Sequence, residues 1–256
     1  MRIRLIFAAV LLLSGTAPGC ARSGRPRIHV FAGAAVKAPL DDFAEAWGRR
    51  EGIAVEITYG GSGAVLSQMM LAKAGDVYIS GSEAFMAEAV RQGVVDASSQ
   101  RTLAVLVPVI AVRKGNPKRI RSMEDLSRPG LRVGIGDPET VCVGAVALDL
   151  FRAAGLWERI RPNVVVHAKS CEDVAAVLAL GQVDAVLGWD VFDDLRPEDI
   201  EVVPLPPEQR FRTDRVLGAV AVFSGRPDRA ALFLRELAGP EGRAAFERHG
   251  YSTGAP

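Results

Sequence analysis

Apolar residues recur along this chain in two rhythms, every second position and every third or fourth, and the switches between them lay out its elements. Ile28-His29-Val30-Phe31 reads as a strand, after which Leu40, Phe43 and Trp47 return at helical spacing until Gly52. Ile53, Val55, Ile57 and Tyr59 alternate as a strand does, and Gly60-Gly61-Ser62-Gly63 then turns the chain into an apolar helix over residues 64–70. Asp76-Val77-Tyr78-Ile79 predicts a short strand, and Ser82 caps a helix carrying Phe85, Met86, Ala89 and Val90 that Gly93 closes.

Residues 105–112 form an apolar run interrupted by Pro108, the mark of a strand that leaves one sheet and enters another region. The alternation then starts afresh. Val133-Gly134-Ile135 predicts a strand, Asp137-Pro138-Glu139 leads into a helix over about 144–154, Val164-Val165-Val166 a strand, 172–180 a helix and Ala185-Val186-Leu187 a strand. Residues 202–207 read as an irregular, proline-stiffened crossing, followed by a strand over 216–223 and helices over 228–237 and 241–249.

Strands and helices in alternation predict an α/β architecture, with parallel sheets covered by helices on both faces. The two crossings divide it into two lobes, 28–108 with 206–256 and 109–205, joined by a hinge near Val109 and residues 204–210. Ligands of open α/β sheets lie beyond the carboxyl ends of the strands, so the interlobe cleft is expected to collect the loops at Gly33, Gly61, Cys142, Cys171 and Trp189.

The glycine turn at 60–63 has the makings of an anion cradle. Glycines allow close backbone approach, and a helix start leaves N–H donors at its positive end. The same turn also reads as a plain N-cap.

Residues 1–19 carry Arg2 and Arg4, an apolar run over 5–13 and small residues up to Gly19, which is a secretory signal too short to span a membrane. Gly19-Cys20 looks like a lipoprotein cleavage site, with Cys20 lipidated and residues 20–27 a polar tether; cleavage and release is the alternative. Loss of Arg2 and Arg4 turns the formal net charge of +1 into about −1, and no basic block appears, so nucleic acid is not an expected partner. The export signal places Cys142 and Cys171 in an oxidising compartment, where they either form one disulfide or stand as two small buried residues.

Taken together, Val30-Phe31-Ala32-Gly33-Ala34-Ala35, Gly60-Gly61-Ser62-Gly63-Ala64, residues 75–80, Lys114-Gly115-Asn116-Pro117, residues 136–141 and Pro240-Glu241-Gly242 resemble the periplasmic molybdate and tungstate binding proteins of ABC importers. The resemblance implies a two-lobed type II periplasmic binding fold that closes on a tetrahedral oxyanion held by neutral donors, working as a monomer that delivers its ligand to a membrane permease. It also implies no cofactor and no metal other than the oxyanion. Carried over by position, the ligand residues are Ala34, Ala35, Ser62, Gly63, Val143, Val174 and Trp189.

Four positions depart from the family's pattern. Ala35 stands where a serine hydroxyl is usual, Lys37 replaces a small polar residue, Trp189 replaces a tyrosine and donates without accepting, and Cys142 stands where proline is common. These leave open another oxyanion, a small organic anion, or a ligand sensor for a membrane signalling partner. Catalysis is not expected: His29, His167 and His249 are scattered, and Ser62 is not in a Gly-x-Ser-x-Gly elbow.

Overall fold

A computed structural model describes residues 25–209 and 213–254; the expected export signal, Cys20 and most of the expected tether lie outside them. The strands are β1 (Arg27–Gly33), β2 (Ala54–Gly60), β3 (Val77–Ser80), β4 (Arg101–Leu106), β5 (Pro108–Arg113), β6 (Val133–Gly136), β7 (Val164–Ala168), β8 (Ala185–Trp189), β9 (Ile200–Pro204) and β10 (Asp214–Val220). The helices are α1 (Lys37–Glu51), α2 (Ser62–Ala72), α3 (Glu83–Arg91), α4 (Cys142–Ala153), α5 (Trp157–Ile160), α6 (Cys171–Ala179), α7 (Phe192–Leu195), α8 (Pro227–Leu237) and α9 (Pro240–Arg248).

Two five-stranded sheets form the cores of two α/β lobes, in the orders β2-β1-β3-β10-β4 and β7-β6-β8-β5-β9. Each is parallel over three strands and antiparallel where a strand next to a crossing enters: β10 runs against β3 and β4, and β5 against β8 and β9. The wholly parallel sheets expected from the alternation are therefore mixed. A further correction concerns residues 202–207, whose first half is not an irregular crossing. Ile200–Pro204 is an edge strand, on which Pro204 costs no ladder bond that a central strand would need. Val107 alone separates β4 from β5, as the break at Pro108 indicates.

In the first lobe, α1 buries Leu40, Phe43 and Trp47, and ends at Gly52 in the left-handed conformation (φ 67°). Phe233 of α8 meets the rings of Trp47 and Phe43 edge-on at 5.0 and 5.5 Å, while the indole N–H of Trp47 donates to Glu236 at 3.0 Å. Asp76 ties β3 down: its carboxylate accepts from the His29 amide at 2.8 Å and from the Ser224 hydroxyl at 2.6 Å. The same apolar cluster includes Ala35 and Leu106 of the first lobe and Cys142 and Trp189 of the second.

Candidate functional site

Close packing of glycines brings the loops of the two lobes together. Gly61 stands so near the second lobe that an added Cβ would meet the carbonyl oxygens of Thr140 at 2.4 Å and Lys169 at 3.0 Å. Gly144 packs the start of α4 onto the end of β6, where a Cβ would stand 2.2 Å from the Gly136 oxygen. Asp137 fixes the adjoining loop: its backbone N–H donates to the Ala168 carbonyl at 2.8 Å and its carboxylate takes the Lys169 ammonium at 2.9 Å. The Lys169 ammonium, followed by the Glu139 amide, holds the Asp137 carboxyl below its ordinary range.

Ser62 is the first residue of α2 and is buried at the bottom of the cleft. Its hydroxyl accepts the Gly81 N–H at 3.2 Å, and its carbonyl accepts the Tyr78 hydroxyl at 3.0 Å. The hydroxyl passes so close to Gly33 that a Cβ there would lie 2.7 Å from it. Opposite stand Cys142 and Cys171, the first residues of α4 and α6, both buried, with sulfurs 3.7 Å apart. They are free thiols, so the Cys142–Cys171 bridge is not formed here.

The two thiols are not equivalent. Hydrogen bonding to Cys171 and burial push Cys142 well above the ordinary thiol value. Cys171 is drawn below it, chiefly by its contact with Cys142 and against the burial that opposes it. Trp189, wholly buried at the end of β8, carries an Nε1 with no hydrogen-bond partner among the described residues.

The expected ligand residues divide. Ser62, Val143 and Trp189 converge with the two thiols, while Ala34 and Ala35 line a cavity of about 260 Å³ between the lobes, together with Lys37, Cys171, Glu172 and Arg196. Tyr251 steadies this edge by donating its hydroxyl to the Ala35 carbonyl. Gly63, however, gives its N–H to the Thr140 carbonyl across the cleft at 3.0 Å, and Val174 gives its own to the Ser170 carbonyl at 3.1 Å, one turn inside α6. Both amides are thus engaged within the protein, and Cys171 rather than Val174 opens α6. Lys37 is held by Asp41 at 2.6 Å and lies 4.9 Å over the Tyr59 ring, with its charge at the cleft mouth. The sequence left the pairing of Cys142 and Cys171 open, and the structure brings their sulfurs together at the starts of α4 and α6 without a bond.

A cleft of this kind, lined by helix starts from two lobes of matching topology, is that of a two-lobed solute-binding protein. The chain belongs to the bacterial extracellular solute-binding protein family, whose profile matches residues 28–252. Among its relatives, the molybdate-binding protein ModA of Escherichia coli is 27% identical over 248 residues, covering 94% of each chain. The sulfate-binding protein of Synechococcus elongatus is 24% identical over 253 residues, covering 87% of this chain and 71% of its own. The structure of the periplasmic molybdate-binding protein of Azotobacter vinelandii superposes with a TM-score of 0.76 at 19% identity, over 90% of this chain and 99% of that one.

Proposed function

We propose that the protein captures a tetrahedral oxyanion, molybdate or tungstate, between its lobes outside the cytoplasmic membrane and hands it to an ABC permease. The carrying observation is that Ser62 at the start of α2 and Val143 at the start of α4 are both buried at helix ends, and that the buried Trp189 N–H has no partner among the described residues. Hydroxyl, amide and indole donors at positive helix ends suit a desolvated dianion, and their fixed directions select by size and oxygen position. The E. coli relative's binding of molybdate supports this choice of anion. Membrane anchoring through a lipidated Cys20 belongs to the same proposal, and Cys20→Ala should move the protein from the membrane to the soluble fraction.

A small organic anion is the second reading, favoured by the cavity of about 260 Å³ beside Ala34 and Ala35, whose mouth carries Lys37 and Arg196. A thermal-shift series separates the two, because a ligand that binds only the folded state raises the melting temperature. A rise with molybdate and tungstate supports the first. A rise confined to sulfate, phosphate or phosphorylated small molecules overturns it in favour of that anion.

A further inference from the structure

Capture of an oxyanion by helix starts needs no thiol, yet two thiols stand at this cleft. Cys142 opens α4 and Cys171 opens α6; both are buried and free, and their sulfurs touch at 3.7 Å. Both belong to the second lobe, and the first lobe closes onto them: a Cβ on Gly81 would stand 3.0 Å from the Cys142 sulfur and 3.7 Å from the Ala35 methyl. The Gly81 N–H is the group that the Ser62 hydroxyl accepts, so a hydroxyl of the first lobe lies at the Cys142 end of the pair. At the other end Cys171 lines the interlobe cavity of about 260 Å³, which gives a small solute a way in. Ala35 brings no hydroxyl to this corner, and sulfur stands there instead.

We propose that Cys142 and Cys171 form a capture site for a trivalent thiophilic oxyacid, of the arsenite or antimonite class, which the two sulfurs chelate between the starts of α4 and α6. Thiolates are the donors that soft centres prefer. Two sulfurs and one retained hydroxyl complete the pyramidal coordination of such a centre, which holds its sulfurs near contact distance, so a pair at 3.7 Å needs only side-chain adjustment. Zinc asks for four ligands, and among the described residues no three His, Cys, Asp or Glu side chains stand together to supply them. The oxyacid is uncharged at neutral pH, so it reaches the buried pair without the penalty of burying an ion. The dithiol site goes beyond the oxyanion reading above, which concerns hard donors, and does not depend on it.

Cys171, at the cavity, attacks first. A sulfur–arsenic bond forms, an arsenic–oxygen bond breaks, and the thiol proton leaves with the released hydroxyl as water. Cys142 repeats the exchange and releases a second water. One arsenous acid and two thiols become one dithiolate-bound arsenic hydroxide and two waters; arsenic stays trivalent, and neither an oxidant nor a reductant is consumed. The hydroxyl left on arsenic has the Ser62 O–H as its donor.

The test uses the purified protein carrying Cys20→Ala, in which Cys142 and Cys171 are the remaining cysteines, reduced with a phosphine because a dithiol reductant would itself take the arsenite. Native mass spectrometry with sodium arsenite should show one adduct per chain with the mass of arsenous acid less two waters, and X-ray absorption at the arsenic edge should find two sulfurs and one oxygen around the centre. Cys142→Ser and Cys171→Ser should each lose that adduct and bind arsenite about tenfold or more weakly, since the second bond is intramolecular in the parent. If neither variant folds, the absorption spectrum of the parent decides alone. Arsenic surrounded by oxygen only, an adduct that survives either substitution, or uptake of copper(I) without arsenite overturns the site. Calorimetry with sodium molybdate on the same sample keeps the two readings apart: molybdate heat without an arsenite adduct overturns the dithiol site alone, whereas an arsenite adduct without heat from molybdate or any other oxyanion supports the dithiol site and sinks the oxyanion reading.

Discussion

The hydroxyl of Ser62 accepts the backbone N–H of Gly81 at 3.2 Å, so the side-chain oxygen at the start of α2 is aimed by the loop that follows β3. With its lone pair engaged by that amide, the hydroxyl proton is left to be given to a ligand. Ser62→Ala should weaken the bound anion by roughly 1–3 kcal/mol, as for a lost donor to a buried charge. Calorimetry with the preferred anion checks it, and unchanged affinity removes Ser62 from the site.

Gly61 has ordinary extended backbone (φ −62°, ψ 141°), so alanine fits it without strain inside the first lobe. Only the approach of the second lobe forbids it, with the Thr140 and Lys169 carbonyls 2.4 and 3.0 Å and the Val141 side chain 3.0 Å from the added methyl. Gly61→Ala should leave the melting temperature of the unliganded protein within about 2 °C of the parent, because its cost arises only on closure. Its affinity should fall at least tenfold and its radius of gyration with ligand should stay at the unliganded value in X-ray scattering.

The buried Trp189 N–H lacks a partner and costs stability on the order of 1–3 kcal/mol. Trp189→Phe removes the orphan while filling most of the volume. The ligand-free protein is expected to melt no lower than the parent, with the rise on adding anion much reduced. A full ligand shift in this variant would take the indole out of the site.

Burial raises the tyrosines, Tyr251 and Tyr78 from 10.0 and Tyr59 from the same value with help from Asp41. Unfolded tyrosines ionise near that value while the folded ones keep their protons, so unfolding releases protons above it and stability falls as pH rises. The melting temperature should hold steady up to about pH 9.5 and drop steeply beyond. Tyr251→Phe should flatten part of that drop while costing about 1–3 kcal/mol at neutral pH, since it leaves the buried Ala35 carbonyl unpaired. Thermal melts over pH 7–11.5 test both.

What the sequence disclosed follows from what hydrophobic rhythm encodes. The alternation of Ile53, Val55, Ile57 and Tyr59 marks β2 because Val55, Ile57 and Tyr59 pack, partly buried, against the apolar core, and Ser82 marks α3 because its hydroxyl accepts the Ala84 N–H at 3.2 Å. Strand direction leaves no such mark, since β10 looks the same whether it runs with β3 or against it. Ile200–Pro204 was hidden by its terminal Pro204, which an edge position tolerates. At the site, the glycine turn made the place of Ser62 at a helix start legible, whereas the bonds that the Gly63 and Val174 amides make within the protein were not. Their partners, Thr140 and Ser170, are set by how the lobes and helix starts meet, which no local pattern carries.

Val107 exchanges both of its backbone groups with Asp190: its N–H goes to the carboxylate at 3.0 Å and its carbonyl takes the Asp190 amide at 2.9 Å. One crossing is thus pinned to the residue directly after Trp189, while the other runs the longer distance from Pro204 to Asp214. A body held by one short pin and one long link turns about the pin. Motion of the lobes is therefore felt first at the indole, which makes tryptophan fluorescence at Trp189 a built-in gauge of the angle between them.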